Sequence, residues 1–226
     1  EAIMSSLNLK NIYKVYPSGV TAVSDFTLDI EDKEFIVFVG PSGCGKSTTL
    51  KIISGILKPT KGSVETQGVI APLIELGAGF DMEATGEENV FLNGAILGFT
   101  RKGMKERYSK RVEFAELHDF MKLPLKNYSS GMVSRLGFAV AIDLHPDLML
   151  VDEVLSVGDE NFRKKCLNKI SELQKEGVSF LFVSHNIDQV KFLCDKTMWI
   201  ENSKLMAYGD SNTVCDQYLE YCKTHK

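Results

Sequence analysis

A glycine-rich loop near residue 40 has the residue types and spacing needed to hold phosphate groups. It follows the pattern GxxxxGK[ST], with an apolar strand predicted before it and a helix after it. Glycines let backbone N–H groups turn toward phosphate oxygens, and the positive end of the following helix adds to the attraction. We expect Lys46 to reach the β- and γ-phosphates of a nucleotide and the Ser47 hydroxyl to be a ligand of Mg²⁺. This phosphate loop comprises Gly40, Pro41, Ser42, Gly43, Cys44, Gly45, Lys46, Ser47 and the next residue, Thr48.

Two carboxylates and a histidine follow later apolar runs that have the length of buried strands. Asp152 and Glu153 come directly after residues 148–151, and His185 follows the run over residues 178–183. Ligands of open α/β sheets bind outside the carboxyl ends of strands, so these side chains are expected near the phosphate loop. Asp152 would face the Mg²⁺ shell, Glu153 would polarise a water for attack on the γ-phosphate, and His185 would bond that phosphate. Taken alone, such residues at strand ends are more often solvated or structural.

Apolar runs and turn residues predict an α/β fold that positions these groups. The phosphate loop follows a strand over residues 35–39, and a helix is expected from Lys46 to about residue 57. Alternating apolar residues up to position 30 predict an N-terminal antiparallel β part. Residues 198–200 and 205–208 predict a hairpin over Asn202 and Ser203. Further helices are expected over about 131–146, 160–175 and 211–221, and further strands over 148–151 and 178–183.

The stretch between about residues 85 and 146 is too long for one crossover helix, so it predicts a helical lobe inserted into the core. Thr100 is the expected N-cap of a helix that begins with the charged stretch 101–116. Pro124 should end this helix. The expected organisation is a single domain. Its core, a P-loop nucleoside triphosphatase core with a parallel-rich sheet, covers about 1–84 and 147–226, and the lobe covers about 85–146.

Composition limits the classes of partner. The chain has 226 residues and a formal net charge of −4, which does not favour nucleic acid. No apolar run approaches the roughly 18 residues of a membrane span, so work at a membrane would need another chain. The five cysteines form no CxxC pair, which argues against a zinc site or a disulfide framework and fits a reducing compartment.

The segment YSSGM at residues 128–132 completes a recognisable pattern, because it lies at the usual distance before Asp152 and Glu153. The sequence resembles the ATP-binding cassette (ABC) ATPases over residues 7 to 221, and the segment corresponds to their signature, usually LSGGQ. The resemblance implies binding of ATP and Mg²⁺. It assigns Asp159 to the family's D-loop and Tyr16 to the aromatic residue that stacks on adenine, with Tyr13 as a weaker alternative.

The family resemblance also implies a mechanism that needs two copies of the chain. Each ATP would lie between the phosphate loop of one copy and the signature helix of the other, in a head-to-tail dimer. The signature residues assigned to this contact are Ser129, Ser130, Gly131 and Met132. The family further implies an integral membrane transporter subunit as partner and a cytoplasmic protein bound peripherally to the inner face of the cell membrane.

Two parts of the chain resemble different branches of the family, as a hybrid sequence would. Residues 7–54 look like ATPases of carbohydrate importers. From about Gly62 onward the match is to ATPases that export polysaccharides, including O-antigen and teichoic acid exporters, through residues 73–80, 85–86 and 88–89. Most ABC ATPases have a glutamine between strand and lobe. Here Gln67 is too early, and Glu75, a weak candidate as a further metal ligand, occupies that region as in the exporters.

The resulting prediction is the ATP-hydrolysing subunit of a polysaccharide exporter, with a carbohydrate importer as the alternative. Two other classes fit less well. ABC proteins of DNA repair need a long coiled-coil insertion and those of translation usually need two cassettes. A nucleotide-binding module without hydrolysis would not need Glu153 and His185.

Overall fold

The computed structural model describes residues 6–30, 32–73, 76, 77, 79–142, 146–152, 159–184 and 186–225. In chain order the elements are β1 (Ser6–Val15), β2 (Thr21–Ile30), β3 (Phe35–Val39), α1 (Lys46–Ile53), β4 (Lys61–Gln67), β5 (Ile70–Leu73), α2 (Gly86–Ile96), α3 (Arg101–Ala115), α4 (Ser130–Ala141), β6 (Leu148–Asp152), α5 (Glu160–Lys175), β7 (Ser179–Val183), α6 (Ile187–Leu193), β8 (Lys196–Glu201), β9 (Lys204–Asp210) and α7 (Ser211–Thr224). Short 3₁₀ helices lie at His118–Phe120 and Leu125–Asn127.

The N-terminal strands form an antiparallel sheet in the order β2-β1-β4. Its buried face alternates along the strands, since Leu7 pairs with Ile30 and Leu9 with Leu28. The predicted antiparallel part is therefore confirmed. β4 was not predicted, because its sequence KGSVETQ is polar and most of its side chains are exposed.

The second sheet has the order β5-β6-β7-β3-β8-β9 and is parallel except for the β8–β9 hairpin. β3 and β7 are buried at every residue, as their continuous apolar sequences predict for strands covered on both faces. The hairpin turns at Asn202 and Ser203, whose φ values of 47° and 65° suit a tight two-residue connection. The predicted α/β fold with a parallel-rich sheet is confirmed.

Several predicted boundaries need correction. α1 ends at Ile53 because Gly55 takes a left-handed φ of 77° and its N–H bonds back to the Ile52 carbonyl. α3 does begin after its cap Thr100, but it ends at Ala115 rather than near Pro124. The reason is Glu116, whose φ of 60° closes the helix and lets the next N–H reach the Val112 carbonyl.

The chain divides into two compact units. The first consists of Glu1–Ile74, Pro146–Glu153 and Ser171–Lys226, and the second of Glu75–His145 and Val154–Ile170. The apolar centre of the first unit is built by strands of both sheets and α1. In the second unit, α2, α3 and α4 pack around residues that include Val90, Met104, Val112, Leu136 and Val140. No helix in the described part of the chain combines the length and apolar character that crossing a bilayer requires.

Candidate nucleotide-binding site

The phosphate loop lies between β3 and α1, and three glycines shape it. Gly40, Gly43 and Gly45 have φ values of 146°, 81° and 105°. Gly45 is the N-cap of α1 and has no side chain to bond the first N–H groups of the helix. Those N–H groups therefore stay available to an anion at the positive end of the helix.

Close packing explains why two of these positions need glycine. A Cβ atom at Gly40 would lie 2.0 Å from the Ile200 carbonyl oxygen of β8, and one at Gly45 would lie 2.1 Å from the Ala22 carbonyl oxygen of β2. At Gly43, by contrast, nothing lies within 4 Å. Neighbouring strands thus fix the start and end of the loop and leave its middle open.

Lys46 is almost fully buried inside the loop, with 5% of its surface exposed. Its ammonium donates to the carbonyl oxygens of Gly40 at 2.6 Å and Pro41 at 2.8 Å and lies 3.4 Å from the Cys44 sulfur. The sequence predicted the charge but not these acceptors. They hold a positive charge directly beneath the turn that carries the loop's N–H groups.

A cleft of about 300 Å³ opens at the loop and is lined by Ala22, Ser42, Gly43, Gly45, Lys46, Ser47 and Thr48. Most residues assigned to the phosphate loop therefore meet at one cavity. Cys44 is buried with its sulfur toward Lys46, so it does not line the cleft. The combination of hydroxyls, backbone N–H groups and one ammonium suits a polyphosphate.

Asp152 is the last residue of β6, so it lies at the carboxyl ends of the parallel strands, where the phosphate loop also lies. The register pairs Asp152 with Val183, and Val183 with Phe38, so the three residues lie in one row. Asp152 and β3 are separated by two strand spacings, about 10 Å. Glu153, His185 and Glu75, the other groups expected here, lie outside the described residues.

The available oxygen donors suit Mg²⁺, which prefers hard ligands and usually takes only one or two from the protein. Ser47 lines the cleft, and Asp152 lies at the same end of the sheet as the phosphate loop. Among the described residues, no three His, Cys, Asp or Glu side chains gather as a metal site of their own. A shared site, completed by phosphate oxygens and water, is the arrangement that this donor set favours.

The signature segment begins α4 in the second unit. Ser129 caps the helix by accepting the Met132 N–H at 3.2 Å, and both Ser129 and Ser130 are exposed. Tyr128 anchors the segment, because its hydroxyl donates to the Phe120 carbonyl oxygen at 2.8 Å. Burial also raises the pKa of Tyr128 to about 12, so its hydroxyl keeps the proton that it donates. The structure thus presents an exposed helix N-terminus that a fixed tyrosine holds in place.

Asp159 precedes α5 and performs two local functions. One carboxylate oxygen accepts the Phe162 N–H at 2.9 Å, which is the bond of a helix N-cap, and the other binds Arg135 at 2.5 Å. The Phe162 bond, more than the Arg135 charge, lowers the pKa of Asp159. Arg135 was not singled out from the sequence, where its only signal is a cation at the start of the apolar part of α4.

Tyr16 lies in the turn between β1 and β2, half-buried, with the Lys14 ammonium 5.6 Å from its ring centroid. Its N–H donates to the Val20 carbonyl oxygen at 2.9 Å, so the turn is closed. Tyr13 lies within β1, where burial and Asp25 raise its pKa. The phenol of Tyr13 is thus engaged within the sheet, whereas Tyr16 lies in the connection to the strand that supplies Ala22 to the cleft.

Comparison with known proteins places the chain in a family. The sequence model of the ABC transporter family matches residues 23–156. The O-antigen export system ATP-binding protein RfbB of Klebsiella pneumoniae is 44% identical over 199 residues, which are 88% of this chain and 81% of RfbB. The teichoic acids export ATP-binding protein TagH of Bacillus anthracis is 39% identical over 90% of this chain, which spans 37% of TagH.

Solved structures agree on the fold. The ATP-binding subunit of an ABC transporter superposes with a TM-score of 0.83 at 22% identity and covers 94% of this chain and 92% of its own. A dimeric post-hydrolysis state of the ATP-binding cassette MJ0796 with ADP and Pi gives 0.79 at 23% identity, over 91% of this chain and 98% of its own. With the phosphate loop, the signature helix and the family match in agreement, the chain belongs to the ABC transporter family as an ATP-binding cassette ATPase.

Proposed function

We propose that this ATPase drives the export of a polysaccharide or lipid-linked glycan through a separate membrane subunit. The observation that carries the proposal is the 44% identity with RfbB, an O-antigen export protein, over 88% of this chain. The 39% identity with TagH, a teichoic acids export ATP-binding protein of which this chain spans 37%, also supports it. The names of both relatives agree with the exporter-like segments that the sequence shows from about Gly62 onward.

In the proposed site, the phosphate loop binds the β- and γ-phosphates through its N–H groups and Lys46. Ser47 and Asp152 hold Mg²⁺, which neutralises charge on the phosphate oxygens when bound. Glu153 takes a proton from the attacking water, and His185 donates a hydrogen bond to the γ-phosphate. Glu75 is a further candidate ligand of the metal. The common sheet edge of β3, β6 and β7 supports this division of roles.

We propose that the chain is a single domain with a core at about 1–84 and 147–226 and a lobe at about 85–146. Two copies of it form a head-to-tail dimer. Ser129, Ser130, Gly131, Met132 and Asp159 would contact the nucleotide of the partner copy. Support comes from the exposed N-terminus of α4 and from the dimeric state of the related cassette MJ0796. We place the protein in the cytoplasm, bound to the inner face of the membrane, and the net charge of −4 disfavours nucleic acid as a partner.

Tyr16→Ala is expected to weaken ATP binding by about 1–3 kcal/mol, the scale of base stacking on an aromatic ring. The binding of GTP should weaken by a similar amount, because the face of an aromatic ring has little base specificity. Equilibrium binding of both nucleotides measures the effect. Tyr13→Ala is the comparison, and a larger loss for Tyr13→Ala than for Tyr16→Ala would reassign the stacking residue.

The second unit offers a docking surface for the membrane subunit near residues 75–89. Thr85, Glu87 and Glu88 line a cavity of about 440 Å³ together with Phe91, Arg101 and Lys122. Exposed apolar side chains occur in the same unit, among them Met82, Leu92, Ile96, Phe120 and Leu123. The Thr85 bonds lower the pKa of Glu88, so Glu88 stays ionised in a cavity wall that also contains Arg101 and Lys122.

Cross-linking tests the docking. Cysteine variants at Phe80 and Glu87 should cross-link to the membrane subunit in membranes that contain the whole transporter. Glu220→Cys on α7 is a matched exposed control in the first unit and should not. Equal cross-linking of all three variants would argue against a docking surface at residues 75–89.

Deletion of the protein tests the direction of transport. We expect undecorated cell surfaces and glycan precursor left on the cytoplasmic side, measured by lectin or antibody labelling with and without permeabilisation. Loss of sugar uptake with normal surface glycan would instead establish the importer, the branch that residues 7–54 resemble.

A further inference from the structure

Arg135 connects the signature helix to the residue before α5. It lies on α4 six positions after Ser129, and its side chain is 17% exposed. One guanidinium nitrogen binds Glu116 at 3.1 Å and another binds Asp159 at 2.5 Å. The guanidinium also lies over the Phe162 ring, 4.7 Å from its centroid. Both terminal nitrogens and one face of the guanidinium are therefore engaged.

The two acids that Arg135 binds are themselves fixed. Asp159 also caps α5 through the Phe162 N–H. Glu116 also accepts from the Lys165 ammonium at 3.0 Å, and that ammonium donates to the Phe114 carbonyl oxygen at 3.0 Å. All of these residues belong to the second unit. The end of α3, the start of α5 and α4 thus form one bonded cluster centred on Arg135.

The geometry requires an arginine rather than any cation. A planar guanidinium can bind two carboxylates along its edges while one face lies on an aromatic ring, whereas a lysine ammonium cannot do all three. Removal of the mostly buried Arg135 side chain would also leave Glu116 and Asp159, both more than half exposed, without their shared cation.

We infer that Arg135 is a positioning residue that holds Asp159 in a fixed place relative to the N-terminus of α4. Ser129 and Asp159 then meet the nucleotide of the partner copy as one rigid group instead of two independent contacts. This inference rests on the proposed head-to-tail dimer. It adds the statement that the signature and the D-loop are coupled within each copy through a single side chain.

Dimerisation with ATP tests the inference in a Glu153→Gln parent, where hydrolysis should not interfere. Arg135→Gln and Asp159→Asn should each weaken ATP-dependent dimerisation by at least about tenfold, measured by sedimentation. The double variant should be no weaker than the worse single variant, because the two residues act as one unit. Arg135→Lys should recover part of the loss. Glu116→Gln removes the other ion pair of Arg135. It should change dimerisation less than about threefold, even if it lowers the melting temperature as much as Arg135→Gln does.

Nucleotide binding to the monomer supplies the second measurement. Trp199 is the single tryptophan of the sequence, it pairs with Val39 at the start of the phosphate loop, and its fluorescence can report binding. Arg135→Gln should leave the monomer's ATP affinity within about twofold, because the contacts of Arg135 lie in the other unit.

Three results would overturn the inference. Arg135→Gln could dimerise as well as the parent, or the effects of the single variants could multiply in the double variant. The third is a loss of dimerisation that tracks the loss of melting temperature in every variant, Glu116→Gln included. Failure of the parent itself to dimerise with ATP would contradict the proposed dimer and, with it, this inference. A dimeric parent with an undisturbed Arg135→Gln variant would contradict this inference alone.

Discussion

Glu153→Gln is expected to slow ATP turnover by at least about a hundredfold while ATP binding is kept, since this is the scale of losing a general base. The physical reason begins with β6, whose last residue, Asp152, lies in one row with Val183 and Phe38. Glu153 is the next residue in the sequence, and the proposed mechanism assigns its carboxylate to the attacking water. Glutamine keeps the size and hydrogen-bonding shape but cannot accept the proton of the attacking water.

Steady-state hydrolysis and a sizing column together measure this prediction. The variant should accumulate as a dimer when ATP is present, because ATP that is bound but not cleaved keeps the two copies together. Glu160→Gln is a matched control, since this exposed residue of α5 is bonded only to nearby basic side chains in the described contacts. Turnover of Glu153→Gln near that of wild type would remove Glu153 from the mechanism.

Local sequence patterns predicted the parts of the fold that are specified by residues close together in the sequence. The run FIVFV identified β3 because a strand buried on both faces needs an apolar residue at every position, and all five are buried. Thr100 identified the start of α3 because its side chain caps the Gly103 N–H. The phosphate loop was recognisable because its glycines take positive φ values that other residues avoid.

Features that depend on distant parts of the chain were not predictable in the same way. β5 carries Pro72, which argues against a central strand, yet it pairs with β6 at the sheet edge, where a proline is tolerated. The cluster around Arg135 joins residues from α3, α4 and α5, so no local spacing indicates it. Likewise, the need for glycine at position 40 comes from the Ile200 carbonyl of β8, 160 positions later in the sequence.

Lys46→Met is expected to weaken nucleotide binding by about tenfold to a hundredfold or more, because losing a charge-assisted hydrogen bond costs about 1.5–3 kcal/mol. Methionine keeps most of the side-chain volume in a position that is 5% exposed, so the packing of the loop should survive. The carbonyl oxygens of Gly40 and Pro41 would lose the ammonium that now binds them. Their uncompensated partial negative charge would then face the phosphates and add to the loss of attraction.

Trp199 fluorescence with a non-hydrolysable ATP analogue measures the affinity, and thermal unfolding shows whether the loop's fold is kept. Lys51→Met is a control on the same helix, at the end of α1 that lies away from the phosphate loop. It removes an equal charge, so it accounts for the change in the protein's overall electrostatic attraction for the nucleotide. A specific role of Lys46 requires that Lys46→Met loses affinity while Lys51→Met does not. Equal small losses in both variants would mean that general electrostatics, and not a bond inside the loop, hold the phosphates, and the assignment of residues 40–48 as the phosphate site would have to be given up.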